Sequence, residues 1–285
     1  MRHYTENLKK LYKNIGGDFE YSLECFVYDM LSADPESYAR PAMLICPGGG
    51  YSNVSSREGV PIATSFLAKG FNCYVLTYST MNDAPDEHFP IQLLQTAAAM
   101  DYIKSKAAEH RTDASKISVC GFSAGGHLAG MISCLFDHES VKKAFPKKDE
   151  NYFRPYASVL SYAVLSSDPH IAHMGSFEKL TGNDKKMMDY LSLDKRVNEK
   201  TPPAFIWCTS DDGAVDCRSS LLYAAALREN RTKFELHVYP KGNHGISLAN
   251  RLTSNGRETV EDDYIAGWVD LAADFLLKRM PSFND

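Results

Sequence analysis

The chain has 285 residues, of which 44% are hydrophobic and 24% are charged, with a formal net charge of −5 and a pI near 6.0. This composition is typical of a globular protein, and its acidic balance argues against nucleic acid or an anionic membrane as a partner. The polar amino terminus lacks the apolar segment of a signal peptide, and no apolar stretch is long enough to cross a bilayer. Seven cysteines without a C-x-x-C pair favour a reduced protein, so we predict a cytoplasmic location.

Apolar, β-branched segments alternate with helical patterns along the chain. The predicted strands are Leu23–Tyr28, Ala42–Cys46, Cys73–Tyr78, Ile117–Cys120, Ser158–Val164, Ala204–Thr209 and Phe234–Tyr239. The predicted helices are Ile62–Lys69, Ile91–Ala108, Ala124–Leu135, Ser219–Glu229 and Tyr264–Arg279. This alternation predicts an α/β fold with a mostly parallel central sheet, helices on both faces and reactive loops at the carboxyl ends of the strands.

The chain shows no internal repeat and no linker, so we predict one domain over residues 1–285. A charged segment at 138–155 and a weakly periodic segment at 166–201 interrupt the alternation of strands and helices. We interpret both as short, lid-like insertions over the catalytic edge of the domain. The role of the 166–201 segment is left open.

A glycine run directly follows the predicted strand that ends at Cys46, where Pro47–Tyr51 reads P-G-G-G-Y. Consecutive glycines can expose backbone N–H groups to a developing oxyanion, so we predict that this run supplies donors to an oxyanion hole. A phosphate-binding loop is the rival interpretation, but the pattern G-x-x-x-x-G-K-[ST] is absent. A plain glycine-rich turn stays open as an alternative.

The segment Gly121–His127 reads G-F-S-A-G-G-H and lies between a predicted strand and a predicted helix. In that context, G-x-S-x-G is typical of a nucleophile elbow, whose glycines leave room for a strained turn that lifts the serine hydroxyl above the sheet. Because an isolated G-x-S-x-G also arises by chance, the interpretation depends on the other catalytic groups. We predict Ser123 as the nucleophile and the N–H of Ala124 as a further oxyanion donor.

A serine nucleophile needs a neighbouring base, and that base needs a third group to orient it. In the fold that carries a nucleophile elbow, the chain order is Ser, then Asp or Glu, then His. His244 follows the predicted strand Phe234–Tyr239 and is the predicted general base. Asp212 is favoured as the acid. Two other acids stay open as alternatives, Asp211 and Asp216. Asp211 is otherwise interpreted as a solvated turn residue, and Asp216 as a helix N-cap.

The remaining histidines are weaker candidates for catalysis. His127 lies on the helix after Ser123, which turns its ring away from the hydroxyl, so we interpret it as a packed histidine. His237 lies on a predicted strand, whose alternation turns its side chain outward. His170 and His173 suggest a metal pair, but two histidines without a placed carboxylate or cysteine are a weak metal signal. We therefore predict no metal and no cofactor.

These segments resemble the α/β-hydrolases of the acetyl-xylan-esterase and bacterial feruloyl-esterase type, which are relatives of the hormone-sensitive-lipase esterases. The resemblance covers nearly the whole chain from about residue 22. It rests on the segments Pro47–Tyr51, Ser56–Gly59 with Pro61–Ala63, Gly121–Ala129, Thr201–Phe205 and Asn243–Gly245. The resemblance implies the α/β-hydrolase fold, with Ser123 as nucleophile, His244 as base and Asp212 as its partner. It also implies that the oxyanion hole is formed by the N–H groups around Gly49, Gly50 and Ala124.

The chain departs from the family pattern at two positions. Pro47 opens the glycine run where the lipase relatives have histidine, and Asp216 follows Val215 where many members have proline. The second departure keeps the assignment of the acid open. Substrates of the family are acetylated or feruloylated plant polysaccharides, oligosaccharides and simple short-chain esters.

The sequence thus predicts a serine carboxylesterase that cleaves short-chain esters, acetyl esters above all, on a carbohydrate such as acetylated xylan oligosaccharides, through an acyl-enzyme. The alternatives are a prolyl-oligopeptidase-type serine peptidase and an inactive binding protein on a hydrolase scaffold. Tyr51, Arg57 and Tyr78 are candidate contacts to a sugar-like alcohol, with structural hydrogen bonding as their other interpretation. The expected partner is a small-molecule or oligosaccharide ester, and a homo-oligomer is left open.

Overall fold

The computed structural model describes residues 1–29, 31, 34–35 and 38–279. Within these residues, eight strands form one sheet: β1 (Arg2–Asn7), β2 (Ser22–Val27), β3 (Arg40–Cys46), β4 (Asn72–Thr77), β5 (Thr112–Phe122), β6 (Ser158–Ser161), β7 (Ala204–Thr209) and β8 (Phe234–Tyr239). The α-helices of the same residues are α1 (Leu8–Leu11), α2 (Val60–Leu67), α3 (Ile91–Ser105), α4 (Ala107–His110), α5 (Ala124–Leu135), α6 (Glu139–Ala144), α7 (Met174–Thr181), α8 (Lys185–Tyr190), α9 (Arg218–Glu229), α10 (Arg251–Ser254), α11 (Asp263–Ala266) and α12 (Trp268–Asp274).

The strands are arranged in the order β1-β2-β4-β3-β5-β6-β7-β8. β2 is antiparallel to both of its neighbours, whereas all pairs from β4 to β8 are parallel. The carboxyl ends of β3 to β8 therefore lie at one edge of the sheet, where loops from distant parts of the chain meet. The predicted mostly parallel sheet is confirmed.

The sequence of β3 explains why the sheet is buried on both faces. Ala42, Leu44 and Cys46 belong to one hydrophobic core, while Met43 and Ile45 belong to the other, and all five are fully buried. This is the two-residue alternation of a strand, with apolar side chains at every position. Residues of α3, α5 and α9 cover the first face, and those of α2 and α12 cover the second. The predicted helices on both faces are confirmed.

Most predicted elements are present with shifted bounds. The sequence does not predict β1, because its residues R-H-Y-T-E-N contain no apolar run, yet this strand pairs with β2 along its whole length. The predicted strand Ser158–Val164 ends at Ser161, since Tyr162 has a left-handed φ of 37°. The predicted helix Tyr264–Arg279 is divided into α11, α12 and the π-helical turn Phe275–Arg279.

The two predicted insertions lie in different places. The 166–201 segment contains α7 and α8, and its His173 lies beside the glycine run, as described below. In the 138–155 segment, the Tyr152 hydroxyl donates to Asp101 in the second half of α3 (3.0 Å), and Asn151 lines a cavity together with Ser115 near the start of β5. The structure therefore places the 138–155 segment away from the catalytic edge, in contrast to the prediction.

Three general expectations concern the cysteines, membrane-spanning helices and the number of domains. The seven cysteines, all in the described part of the chain, have free thiols. No helix among the described residues is long and apolar enough to cross a membrane. The prediction of one domain over 1–285 includes 30, 32–33, 36–37 and 280–285, which lie outside the described residues, and it stays a prediction.

Candidate active site

Ser123 lies between β5 and α5, at the carboxyl edge of the sheet. Its backbone has φ 53° and ψ −120°. A non-glycine residue held in such a region costs about 1–3 kcal/mol, which the surroundings must offset. The Ser123 N–H donates to the Ser161 carbonyl (3.1 Å), and its own carbonyl accepts from the N–H groups of His127 (3.0 Å) and Val164 (3.1 Å). Three hydrogen bonds, to α5 and to residues 161–164, therefore fix this strained turn.

Close contacts explain the glycines on either side of Ser123. A Cβ on Gly125 would lie 2.1 Å from the carbonyl oxygen of Cys46, and a Cβ on Gly121 would lie 2.1 Å from that of Gly125. Both distances are far below van der Waals contact, so only glycine fits at either position. The start of α5 therefore packs directly on the end of β3, which brings Ser123 next to the glycine run.

The structure brings Ser123, His244 and Asp212 into one hydrogen-bonded row. The Ser123 hydroxyl donates to His244 Nε2 over 2.8 Å, and His244 Nδ1–H donates to Asp212 Oδ2 over 2.7 Å. The Asp212 side chain is 1% exposed and that of His244 is 24% exposed. The row thus runs from a buried acid to a base that solvent reaches. Its members follow three different strands, β5, β7 and β8.

The loop after β7 holds the Asp212 carboxylate rigidly. Its Oδ1 accepts from the N–H groups of Ala214 (2.8 Å) and Val215 (3.0 Å), while Oδ2 accepts from His244. A carboxylate is an acceptor on both oxygens, so it fixes His244 in the tautomer that carries its proton on Nδ1. Nε2 is then left as the acceptor that faces Ser123.

The two other acids of this loop have different partners. Asp216 forms an ion pair with Arg218 (2.6 Å), whose hydrogen bond lowers the pKa of Asp216 below its ordinary value. Asp211 accepts from the N–H of Gly242 (2.7 Å) and so ties the acid loop to the loop that carries His244. Neither carboxylate is hydrogen-bonded to His244, since Asp216 pairs within its own loop and Asp211 joins the two loops.

The glycine run forms a loop beside Ser123. Gly49 and Gly50 have φ values of 125° and 62°, and a Cβ on Gly49 would lie 1.9 Å from the Asn53 carbonyl oxygen. Among the hydrogen bonds of the described residues, none is donated by the N–H of Gly49, Gly50 or Ala124. These three donors are therefore available to a ligand. They lie near the amino end of α5, whose dipole favours negative charge.

The competing histidines have structural partners. The buried His127 accepts from the Tyr51 hydroxyl at Nδ1 (2.9 Å) and donates from Nε2 to the Leu191 carbonyl (2.9 Å), and burial lowers its pKa to about 4. The structure thus agrees with the interpretation of His127 as a packed histidine. His237 lies 2.8 Å from Glu235. Across the described residues, no group of three or more His, Cys, Asp or Glu side chains is placed to hold a metal ion.

His173 lies at the edge of the site, in the 166–201 segment. Its Cε1 and the Oγ of Ser176 are each 3.9 Å from the position that a Cβ would take on Gly50. Its Nδ1 lies 2.8 Å from Ser176 Oγ. Burial lowers the pKa of His173 below its ordinary value. Polar side chains of this segment therefore border the glycine loop.

The three residues considered as sugar contacts form internal hydrogen bonds. The Tyr78 hydroxyl donates to the Pro47 carbonyl (2.6 Å), and the Tyr51 hydroxyl bonds to His127. Arg57 donates from Nη2 to the Gly245 carbonyl (2.8 Å). For all three, structural hydrogen bonding is the interpretation that the structure supports.

Sequence reasoning misses two buried polar residues of the site, Glu58 and Tyr162. Both Glu58 oxygens are engaged, Oε2 with the N–H of Gly48 (2.8 Å) and Oε1 with the Tyr162 hydroxyl (2.6 Å). The Tyr162 ring packs edge-on against His244, with centroids 5.1 Å apart. Glu58 lies within the segment Ser56–Gly59 that supports the family resemblance, but no local pattern indicates that its side chain is buried.

The chain is similar in sequence to a known family and to named proteins. The chain matches the family model described as BD-FAE over residues 29–227. It is similar to Endo-1,4-beta-xylanase B of Butyrivibrio fibrisolvens, with 32% identity over 272 residues that cover 93% of this chain and 40% of that protein. It is also similar to the acetylxylan esterase of Xylanibacter ruminicola, with 27% identity over 255 residues that cover 87% of this chain and 48% of that protein. The chain thus spans less than half the length of these two relatives.

Solved structures are similar over almost the entire chain. The acetyl ester-xyloside bifunctional hydrolase of Caldicellulosiruptor lactoaceticus has a TM-score of 0.80 and 30% identity, covering 96% of this chain and 95% of its own. MGS-M1, an alpha/beta hydrolase enzyme from a deep-sea metagenome library of the Medee basin, has a TM-score of 0.75 and 31% identity, covering 97% and 96%. The chain therefore shares its fold with these hydrolases over most of its length.

Proposed function

The chain belongs to the BD-FAE family and has the α/β-hydrolase fold, and from this premise we propose that it is a serine carboxylesterase. Its proposed substrates are short-chain esters, acetyl esters above all, of a carbohydrate such as an acetylated xylan oligosaccharide. The observation that carries the proposal is the row in which Ser123, His244 and Asp212 are joined by hydrogen bonds of 2.8 and 2.7 Å.

In the first step, Ser123 Oγ bonds to the ester carbonyl carbon while its proton passes to His244 Nε2. The π electron pair of the carbonyl moves onto its oxygen and gives a tetrahedral intermediate. Asp212 stabilises the imidazolium of His244 through Nδ1–H. The intermediate collapses, the ester C–O bond breaks, and the alcohol leaves with the proton from His244. The acyl group remains on Ser123.

In the second step, water releases the acyl group. His244 accepts a proton from water as the water oxygen bonds to the acyl carbon, and it returns that proton to Ser123 Oγ as the acid leaves. A protonated His244 cannot accept a proton from either nucleophile, so both steps need the neutral imidazole. The partial exposure of His244 is consistent with access of water to this position.

The oxyanion of both tetrahedral intermediates needs donors that are already in place. The N–H groups of Gly49, Gly50 and Ala124 are proposed for this role, because they are close to Ser123 and have no partner among the described residues. Loss of one such donor typically costs about 3–4 kcal/mol of transition-state stabilisation. The amino end of α5 adds its dipole to the same charge.

The proposed substrate class rests on relatives and on the border of the site. Similar proteins are named acetylxylan esterase and acetyl ester-xyloside bifunctional hydrolase. His173 and Ser176 offer polar groups beside the glycine loop. A sugar-like alcohol needs such groups as hydrogen-bond partners for its hydroxyls. The cytoplasmic location and the absence of a cofactor stay predictions.

A substrate panel tests this proposal. We expect acetate release from acetylated xylo-oligosaccharides and from p-nitrophenyl acetate, slower cleavage of longer acyl esters, and no cleavage of aminoacyl-p-nitroanilides. The Ser123→Ala variant is the control and should lose all turnover. Cleavage of the anilides in preference to esters would instead favour a peptidase, and binding of the oligosaccharides without turnover would favour an inactive binding protein.

A further inference from the structure

Glu58 takes no part in the proposed chemistry, yet it connects the two loops that carry it. It ends the 3₁₀ turn Ser56–Glu58 and is 4% exposed. One carboxylate oxygen accepts from the N–H of Gly48 in the glycine loop (2.8 Å), and the other accepts from the Tyr162 hydroxyl (2.6 Å). A buried carboxylate is costly unless its acceptors are satisfied, so a site that keeps one needs both donors.

The first contact holds the glycine loop against the nucleophile. A Cβ on Gly48 would lie 2.8 Å from Glu58 Oε2 and 3.1 Å from Ser123 Cβ, so the Gly48 backbone fills the space between the two residues. Glu58 accepts the hydrogen bond of the Gly48 N–H and thereby fixes the glycine loop. The N–H groups of Gly49 and Gly50 have no hydrogen bond within the described residues. A shift of Glu58 would therefore move the oxyanion donors.

The second contact reaches the loop of the general base. The Tyr162 hydroxyl accepts from the N–H of Ser247 (3.0 Å), and its ring packs edge-on against His244. Burial, with the charge of Glu58 added to it, holds the pKa of Tyr162 well above its usual range, so the phenol keeps the proton that it donates to Glu58. Arg57, the residue before Glu58, holds the same loop through the Gly245 carbonyl.

We propose that Glu58 is a positioning residue that fixes the glycine loop and the His244 loop relative to each other. In this way the oxyanion donors and the general base act on one carbonyl group in one geometry. The inference rests on the proposed function, since it assigns Glu58 a role only in the reaction at Ser123. A misplacement of about 1 Å in such an arrangement can cost about 100-fold in rate.

The test compares Glu58→Gln with a matched control, Glu87→Gln. Glu87 is also a buried carboxylate that accepts from a glycine N–H, that of Gly17, and from a side-chain amide, that of Gln95, but it lies outside the site. In Glu58→Gln an NH2 group replaces one of the two carboxylate oxygens, so one of the two donors meets a donor in place of an acceptor. We expect kcat for p-nitrophenyl acetate to fall by about 10- to 100-fold with KM within about threefold, because the contact matters in the transition state.

Two further measurements separate positioning from stability. Both glutamine variants should lower the thermal midpoint, whereas the Glu87→Gln variant should keep the wild-type kcat. The affinity of Glu58→Gln for phenylboronic acid, which forms a tetrahedral adduct on the serine, should fall with kcat. Tyr162→Phe removes the hydroxyl and keeps the ring, and its effect on log kcat should not add to that of Glu58→Gln, since both residues belong to the same hydrogen-bonded chain.

Rates are normalised to the active sites titrated with a fluorophosphonate, so that folded and unfolded fractions are separated. Wild-type kcat and boronate affinity in Glu58→Gln, with a lowered midpoint alone, would overturn this inference and leave the proposed function intact. If Glu58→Gln does not fold, Tyr162→Phe decides, and a wild-type kcat there overturns the inference. A wild-type protein that neither reacts with the fluorophosphonate nor cleaves esters would overturn the proposed function and this inference with it.

Discussion

Asp212 and Asp216 lie in the same loop after β7, but their carboxylates have different surroundings. Asp212 is buried and accepts from two backbone N–H groups and from His244, whereas Asp216 pairs with the exposed side chain of Arg218. An exposed ion pair contributes little, typically about 0–1 kcal/mol, while a buried acceptor fixes the tautomer of its histidine. The two residues should therefore respond very differently to the same substitution.

Replacement of Asp212 by asparagine should lower kcat by about 10⁴-fold, because the amide can donate to His244 Nδ1 and so favours the wrong tautomer. Asp216→Asn is the matched variant in the same loop and should stay within about threefold of wild type, as expected for loss of a surface ion pair. Steady-state kinetics on p-nitrophenyl acetate measures both. Equal losses in the two variants, or a larger loss in Asp216→Asn, would show that the acid is misassigned.

At the scale of elements, the site depends on how closely α5 approaches β3. Gly125 makes this approach possible, since its backbone lies against the carbonyl groups of Cys46 and Pro47. The contact sets the distance between Ser123, at the start of α5, and the glycine loop, which begins where β3 ends. Packing of a helix on a strand end thus determines the geometry of the proposed oxyanion hole.

The Gly125→Ala variant should separate these two elements. Its Cβ would lie 2.1 Å from the Cys46 carbonyl oxygen, so the start of α5 must move. We expect a loss of about 1–3 kcal/mol in the free energy of unfolding and a loss of about 100-fold in kcat/KM. Gly213→Ala is the control, because a Cβ there meets nothing within 4 Å. Chemical denaturation and kinetics of the two variants test this, and a fully active, stable Gly125→Ala would contradict it.

The elements that the sequence predicts best are those whose pattern is local. Strands β3, β4 and β7 are largely apolar runs next to turn residues, and β8 alternates apolar with polar residues. The nucleophile elbow is a short motif between a strand and a helix. β1 is missed because it is polar and owes its structure to pairing with β2. The predicted position of the 138–155 segment fails for a similar reason, since its contact with Asp101 joins residues far apart in the chain.

The same distinction applies to the candidate site. Ser123, Asp212 and His244 each follow a strand in the order that the fold requires, so spacing and chain order suffice to predict that these three side chains meet. Glu58 and Tyr162 act through side chains that meet only in the folded molecule, 104 positions apart. No periodicity or motif reports such a pair, which is why it appears only in the structure.

At the scale of the whole molecule, buried histidines link stability to pH. Burial lowers the pKa of His127 from an ordinary value of 6.5 to about 4, and burial likewise lowers that of His110 to about 4. Both are neutral in the folded protein at neutral pH, while the unfolded chain takes up protons near pH 6.5. Their contribution to stability is therefore complete above pH 6.5 and is lost as the pH falls from 6.5 towards 4.

For His127 alone this loss amounts to about 3 kcal/mol. We expect the thermal midpoint of the wild-type protein to fall steadily between pH 6.5 and 4.5. His127→Gln, which keeps one acceptor and one donor but cannot titrate, should show a shallower fall over the same range. Calorimetry at four or five pH values tests this. An unchanged slope in His127→Gln would contradict the linkage of this histidine to acid stability.

The most direct test of the central claim is the site of covalent labelling by a fluorophosphonate, mapped by peptide mass spectrometry. The account predicts a single adduct on Ser123, no adduct in Ser123→Ala, and a rate of labelling that falls sharply in His244→Gln. An esterase that is not labelled, or that is labelled at another residue while Ser123→Ala still cleaves p-nitrophenyl acetate, would contradict it.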